Sequence, residues 1–507
     1  MSMTHGRKTT IAVIVLLWLA TTAWLVFYEA FPGLLAGTTG GYHSLLSQGV
    51  MVMDQWMSIT FQGKAIGYSH TSVNAGDAGS ARQYQIENTT VLNLNVMGSR
   101  QRIAVKSQSA VDSSYRMQTF AFVLSSTGYS IDVKGRRLQG ESYEVTVRSA
   151  SSTRRLTLLI PDDAVLYSPM TEMALNALEP GKQVTLRVFN PVSLSAQNIT
   201  IRALRRETIT HRSKTVEATV LTALVEGMET LSWIDSNGSI LRQETLFGWT
   251  MEACDAREAL AGTASGDSLN ADMLTSLAVP VSGPVDRLPS ARSATLRLDG
   301  AVLLRENLES PRQSVLSITG TVAEIRVQAG TFPETNAIPD TLPPPPTNLA
   351  PWLAASPFVQ SDDPRMIAKA REITEGSPDP RQAALALYQW VNTKVAKIPT
   401  VSLPSALDVL LRPEGDCNEH TYLFVGLARA AGIPAKIRVG LTLHNGMFYY
   451  HAWPSVFLGR WVDMDPTLGQ PAVGADHISL FEGELAEQMK LMGVLGRLRI
   501  TLTQTED

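Results

Sequence analysis

The stretch Gly415-Asp416-Cys417-Asn418-Glu419-His420-Thr421, continuing as YLFVGLARAAGIPAK to Lys436, decides how the chain is read. Residues 418–431 carry apolar positions at helical spacing, and Gly432 followed by Pro434 supplies the stop. Cys417 therefore stands at the start of a helix. Unpaired N–H groups and the positive end of the helix dipole favour a thiolate there, which is how a thiol becomes a nucleophile. A small buried core thiol is the ordinary alternative for a free cysteine. The flanking Asp416 and Asn418 argue against so apolar a setting. Downstream, Lys436–Leu443 alternates as a strand and His444-Asn445-Gly446 reads as a hairpin turn. Met447–Val456 (MFYYHAWPSV) then returns with His451 in its middle. A further turn, Leu458-Gly459-Arg460, leads into Trp461-Val462-Asp463-Met464-Asp465-Pro466-Thr467. Two adjacent antiparallel strands would set His451 and Asp465 side by side. A helix-borne thiol facing a strand-borne imidazole, itself oriented by a carboxylate, is the general form of an activated nucleophile.

Three blocks, GDCNEHTYLFVGLARAAGIPAK, YYHAWPSVF and GRWVDMDPT, resemble the motif blocks of the transglutaminase-like superfamily of papain-like Cys-His-Asp thiol enzymes. Leu403–Leu411 (LPSALDVLL) and the helices before it resemble that family's lead-in, so the likeness covers about residues 360 to 482. It implies that Cys417 is the nucleophile, His451 the base and then the acid, and Asp465 the orienter. Asp463 would share a strand face with Asp465 by alternation, yet Asp465, directly before Pro466-Thr467, is the one that matches the motif. The resemblance further implies acyl chemistry on an amide of a protein or peptide. The outcome would be hydrolysis, as in a peptidase or amidase, or transfer to an amine through a Cys417 thioester. No cofactor is implied. A metal is not expected either, because His420 gives Cys417 a single companion ligand whereas closed zinc sites take four. The contrary reading is a non-catalytic binding or scaffold protein that works through the β-rich region described next.

At 507 residues the chain is too long for one core, and roughly two to four domains are expected. Its 44% hydrophobic and 18% charged residues fit a folded protein, and a net charge of −4 gives no reason to expect a nucleic-acid partner. Cys254 and Cys417 are the two cysteines, which excludes a disulfide framework. Thr9–Tyr28 is apolar and uncharged, so a transmembrane anchor is expected over residues 9–30. Arg7 and Lys8 would keep residues 1–8 cytoplasmic and put the bulk of a single-pass membrane protein outside, in the periplasm if bacterial. A glycine-bearing tether at 31–50 would follow, then a β-rich antiparallel region over 51–331, where alternating runs such as Gln83–Val96 and Gln183–Phe189 are separated by turn signals. Cys254–Ser276 reads as helical within it. Residues 332–358, with Pro343 to Pro346, form a proline-rich linker. The transglutaminase-like domain would span 359–482, and residues 483–507 a closing helix and strand. Trp390 lies in an apolar helical stripe and is assigned to core packing. The expected fold class is thus α+β: an N-terminal transmembrane helix, a large antiparallel region and an α+β domain carrying the thiol.

Overall fold

A computed structural model describes residues 41–42, 52–75, 84–96, 98–167, 178–225, 228–245, 248–264, 278–333, 347–400, 402 and 405–507. Period-two alternation builds its largest element. In Ser142–Arg148, for example, Tyr143, Val145 and Val147 are buried while Glu144 and Arg148 are exposed, so one face of the strand joins a core and the other stays wet. Strands of this kind form a 15-stranded sheet of two meanders. The meanders meet where Val52–Phe61 pairs antiparallel with Trp249–Cys254, placing Ile59 opposite Met251. The helix read over Cys254–Ser276 forms over Ala256–Ala264, and residues 265–277 lie outside the described ones.

A second sheet has five strands: Val281–Ser282, Ser293–Asp299, Gln313–Thr319, Val322–Gln328 and, from far along the sequence, Arg499–Glu506. The last of these lies between Val281–Ser282, to which it is parallel, and Ser293–Asp299, to which it is antiparallel.

The remaining α+β layer holds the helices α1 (Pro364–Thr374), α2 (Pro380–Lys394), α3 (Ala406–Leu411) and α4 (Cys417–Ala430). Asp363 and Asp379 cap the first two, accepting from the N–H groups of Arg365 and Gln382, with proline at the first helical position in each. Strands β1 (Ala435–His444), β2 (Met447–Phe457), β3 (Trp461–Asp463) and β4 (His477–Glu482) form a sheet in the order β3-β2-β1-β4. The β1–β2 hairpin closes through Asn445 and Gly446 at φ 47° and 76°, the two positive values that a tight primed turn demands. Helix α4 packs across this sheet and is buried almost throughout, Tyr422, Leu423 and Phe424 completely. Trp390 of α2 is partly buried against the core, with the Lys369 ammonium 5.8 Å above its ring.

One sequence expectation is corrected. The anchor at 9–30 and the prolines at 343–346 lie outside the described residues, and among the described ones no helix is long and apolar enough to cross a membrane. The transmembrane helix is therefore removed from the fold class, and the single-pass placement that rested on it goes too. Hydropathy of a run measures its transfer free energy, whereas spanning needs that run to be one continuous helix of about 20 residues.

Candidate active site

Three points of local chemistry place the thiol. Gly415 turns the chain at φ +145°, where a Cβ would come within 2.3 Å of Glu419 Cγ. Asp416 then caps α4: its Oδ1 accepts the Asn418 N–H at 3.1 Å, while its own N–H donates to Glu419 Oε2 at 2.9 Å. This reciprocal capping box fixes where the helix begins and hence where Cys417 stands. Cys417 is half-buried. Burial pushes its thiol well up, Asp416 adds to the rise, and a hydrogen bond from the Ala452 backbone pulls it back. Burial thus acts against the thiolate that a helix start favours. Asp416 is itself raised by burial and by Glu419, because two carboxyls in contact in a dry setting do not both ionise.

Strand β2 carries His451. His451 is 5% exposed and sits opposite Gly440 of β1, where a Cβ would come within 1.9 Å of the Ile478 carbonyl oxygen of β4. His451 Nε2 lies 2.6 Å from Asp465 Oδ2. Its neighbours tie β2 to the start of α4. Tyr450 donates to Asn418 Oδ1 at 2.9 Å, and the Thr421 hydroxyl donates to the Ala452 carbonyl at 3.0 Å.

Asp465 is fully buried and has both oxygens engaged. Oδ1 accepts the N–H groups of Thr467 and Leu468 at 2.8 and 2.9 Å; Oδ2 meets His451 and, at 3.1 Å, His477 Nε2. Burial alone would raise this carboxyl, but the two imidazoles outweigh it and hold it far below the usual range. Asp463 is employed elsewhere. It accepts from Arg312 Nε at 3.0 Å and Trp453 Nε1 at 3.3 Å, with Arg438 3.9 Å away. Burial would raise it too, yet Arg438 and Arg312 bring it down to about 2. Two carboxylates that alternation could not tell apart thus have separate partners, and Asp465 is the one at His451.

Residues 367–466 match the family model described as the transglutaminase-like superfamily. This part of the chain is a transglutaminase-like domain. It falls among the thiol enzymes. Similar solved structures include a cysteine-protease candidate from Cytophaga hutchinsonii at 18% identity, covering 43% of this chain and 84% of that one with a TM-score of 0.31. A β-barrel-like protein from Brucella abortus is 12% identical over 39% of this chain and 93% of its own, with a TM-score of 0.28. The periplasmic domain of TgpA from Pseudomonas aeruginosa, solved with ethylmercury bound, is 17% identical over 35% and 91%, with a TM-score of 0.25. No curated protein matches the chain significantly.

Two features of the transglutaminase-like domain were not read from the sequence. His477 and its neighbour Asp476 lie beyond the matched span, and Arg312 comes from the turn that leads into Gln313–Thr319 of the five-stranded sheet; none carries a motif. His451, Asp465 and His477 bring ligand-type atoms within 4.8 Å of one another, a set that invites a metal reading. The Nε2–Oδ2 separation of 2.6 Å at His451 argues otherwise. Two ligands on one tetrahedral zinc sit roughly 3.3 Å apart, given bonds near 2.0–2.1 Å. The geometry is that of a hydrogen-bonded chain. His420 is not part of that set, and its Nδ1 lies 2.7 Å from the Asp416 carbonyl oxygen.

Proposed function

We propose that the transglutaminase-like domain carries out thiol-dependent acyl chemistry on amide bonds of a protein or peptide, with Cys417 as nucleophile, His451 as base and then acid, and Asp465 as orienter. The observation that carries this reading is a joint one: Asp465 grips His451 Nε2 at 2.6 Å, while the residues on either side of His451, Tyr450 and Ala452, are hydrogen-bonded to Asn418 and Thr421 in the first turns of the helix that Cys417 begins. Cys417 Sγ attacks the carbonyl carbon as His451 Nδ1 takes the thiol proton, and the carbonyl π electrons move onto oxygen. The Cys417 N–H, a first-turn donor without an intrahelical acceptor, is placed to stabilise that oxyanion. His451 then returns the proton to the nitrogen, the C–N bond breaks, and an amine or ammonia leaves a thioester behind. Water activated by His451 would release the acid, giving peptidase or amidase action. A second amine would give a new amide.

Iodoacetamide labelling tests the pair without knowledge of the substrate, and Cys254 serves as an internal reference in the same chain. His451→Ala should slow Cys417 labelling by about 10²-fold, the scale of a lost general base, and leave Cys254 unchanged. Equal Cys417 rates in the two proteins would remove the catalytic assignment and favour the scaffold alternative.

A further inference from the structure

We propose that His477 is a positioning residue of this site: a buried imidazolium, clamped between Asp465 and Asp476, that shares the Asp465 oxygen with His451 and so tempers how tightly His451 holds its proton. The proposal rests on the assignment of Cys417, His451 and Asp465 above and extends the apparatus past the matched residues.

The geometry dictates the charge. His477 is fully buried on β4, with Nε2 3.1 Å from Asp465 Oδ2 and Nδ1 2.9 Å from Asp476 Oδ1. Ionised carboxylates only accept, so a neutral ring with one N–H would set a bare nitrogen lone pair against one of them. Both contacts are made only when both nitrogens carry hydrogen. Burial by itself would discharge the ring, but Asp465 and Asp476 outweigh it and keep it protonated to higher pH than an ordinary histidine.

The ring is also held in place. The His477 carbonyl accepts from Arg312 at 2.8 Å, and Trp453 meets the imidazole edge-on at 5.1 Å. Gln313 pairs with the next strand position but one, its amide donating to the Ser479 carbonyl at 2.7 Å and accepting the Ser479 N–H at 3.0 Å. Gln470 closes the loop by exchanging backbone hydrogen bonds with Asp465 and donating to Asp476 Oδ2 at 3.4 Å. The His451 ring lies 5.6 Å from that of His477, so the two bases read one carboxylate.

Unshared, the Asp465 oxygen would hold a proton on His451 more tightly. His477 sets a positive charge against that same oxygen, so less of its pull falls on His451 when it carries the Cys417 proton.

The test uses the full chain, labelled with ¹⁵N-histidine, in a Cys417→Ala background so that His451 titrates without the thiol. The His451 signal is assigned by its loss in His451→Gln. Adding His477→Gln should move the His451 midpoint up by about one pH unit, the scale of one unshared carboxylate. An unmoved or lowered midpoint overturns the proposal, as does a His477 ring that is neutral at pH 7 without that substitution. Should His477→Gln fail to fold by thermal melting, Asp476→Asn keeps the ring and should bring the midpoint of His477 itself down; a His477 midpoint that does not fall counts equally against the idea. Failure of the underlying reading shows separately, as Cys417 alkylation in the unmodified chain that ignores loss of His451.

Discussion

Replacing Arg312 by methionine should cost about 3 kcal/mol of stability, although the residue touches no reacting atom. Its guanidinium donates to Asp463 at 3.0 Å and to the carbonyls of Gln328, Gly474 and His477 at 2.7, 3.1 and 2.8 Å, thereby joining the five-stranded sheet to β3 and β4. Arg312 and Asp463 are 8% and 4% exposed, so the break leaves a buried carboxylate short of a partner. Such breaks cost about 3–5 kcal/mol, and Arg438, still 3.9 Å from Asp463, keeps this one at the lower end. The Asp463 carboxyl gives an independent gauge. Its fall from 3.8 to about 2 corresponds to roughly 2 kcal/mol of charge stabilisation supplied by both arginines against burial. At 2–4 °C per kcal/mol for a unit of this size, calorimetry at pH 7 should show a Tm lower by roughly 6–12 °C. A depressed carboxyl stabilises the fold above its unfolded value and loses that contribution as pH falls through its folded one. The gap between the two proteins should therefore narrow from about pH 4 towards about pH 2. Arg312→Met with Asp463→Asn removes the stranded charge and should recover part of the loss. A Tm change under about 2 °C, or a double variant no better than the single one, would refute the reasoning.

Two further outcomes follow from the site. Asp465→Asn keeps an acceptor for the Thr467 and Leu468 N–H groups but presents the wrong partner to His451; turnover should drop about 10³–10⁴-fold, checked once a substrate is in hand or through Cys417 acylation by an activated ester, and Tm should fall as well because two buried imidazoles lose their shared carboxylate. Asp416→Asn keeps the cap on α4 and removes a carboxyl that pushes the thiol up, so the pH midpoint of Cys417 alkylation should move down; an upward move would show that the acid pair instead supports the thiolate.

Local chemistry was legible where the deciding partners are close in sequence. Asp379-Pro380 announced the start of α2, His444-Asn445-Gly446 announced the β1–β2 hairpin, and the separation of 14 positions from His451 to Asp465 proved short enough for a turn to bring them together. Alternation exposed the strands but not their partners. That Val52–Phe61 pairs with Trp249–Cys254 across about 190 residues is a consequence of loop closure and core burial, which no window of sequence contains. Asp463 could not be separated from Asp465 for the same reason, since Arg312 lies 151 residues away. His477 looked like any strand histidine because its meaning lies in two carboxylates, one of them adjacent in sequence and the other reached only by folding. For the thiol, the helix start is visible in sequence, whereas the burial that acts against a thiolate there is not.

The place of Arg499–Glu506 in the five-stranded sheet bears on the timing of synthesis. Its neighbour Ser293–Asp299 leaves the ribosome early, and the Ser293–Glu506 hydrogen bond spans 213 residues. Until those residues are made, Ser293–Asp299 presents an open edge, the kind of surface on which chains stick to one another. Closure of the same sheet steadies the Arg312 segment that braces Asp463 and His477 from behind. A nascent chain halted before Arg499 would already own Cys417, His451 and Asp465, yet it would lack the finished wall they lean on. Synthesis of Arg499–Glu506 is thus the step that closes this sheet.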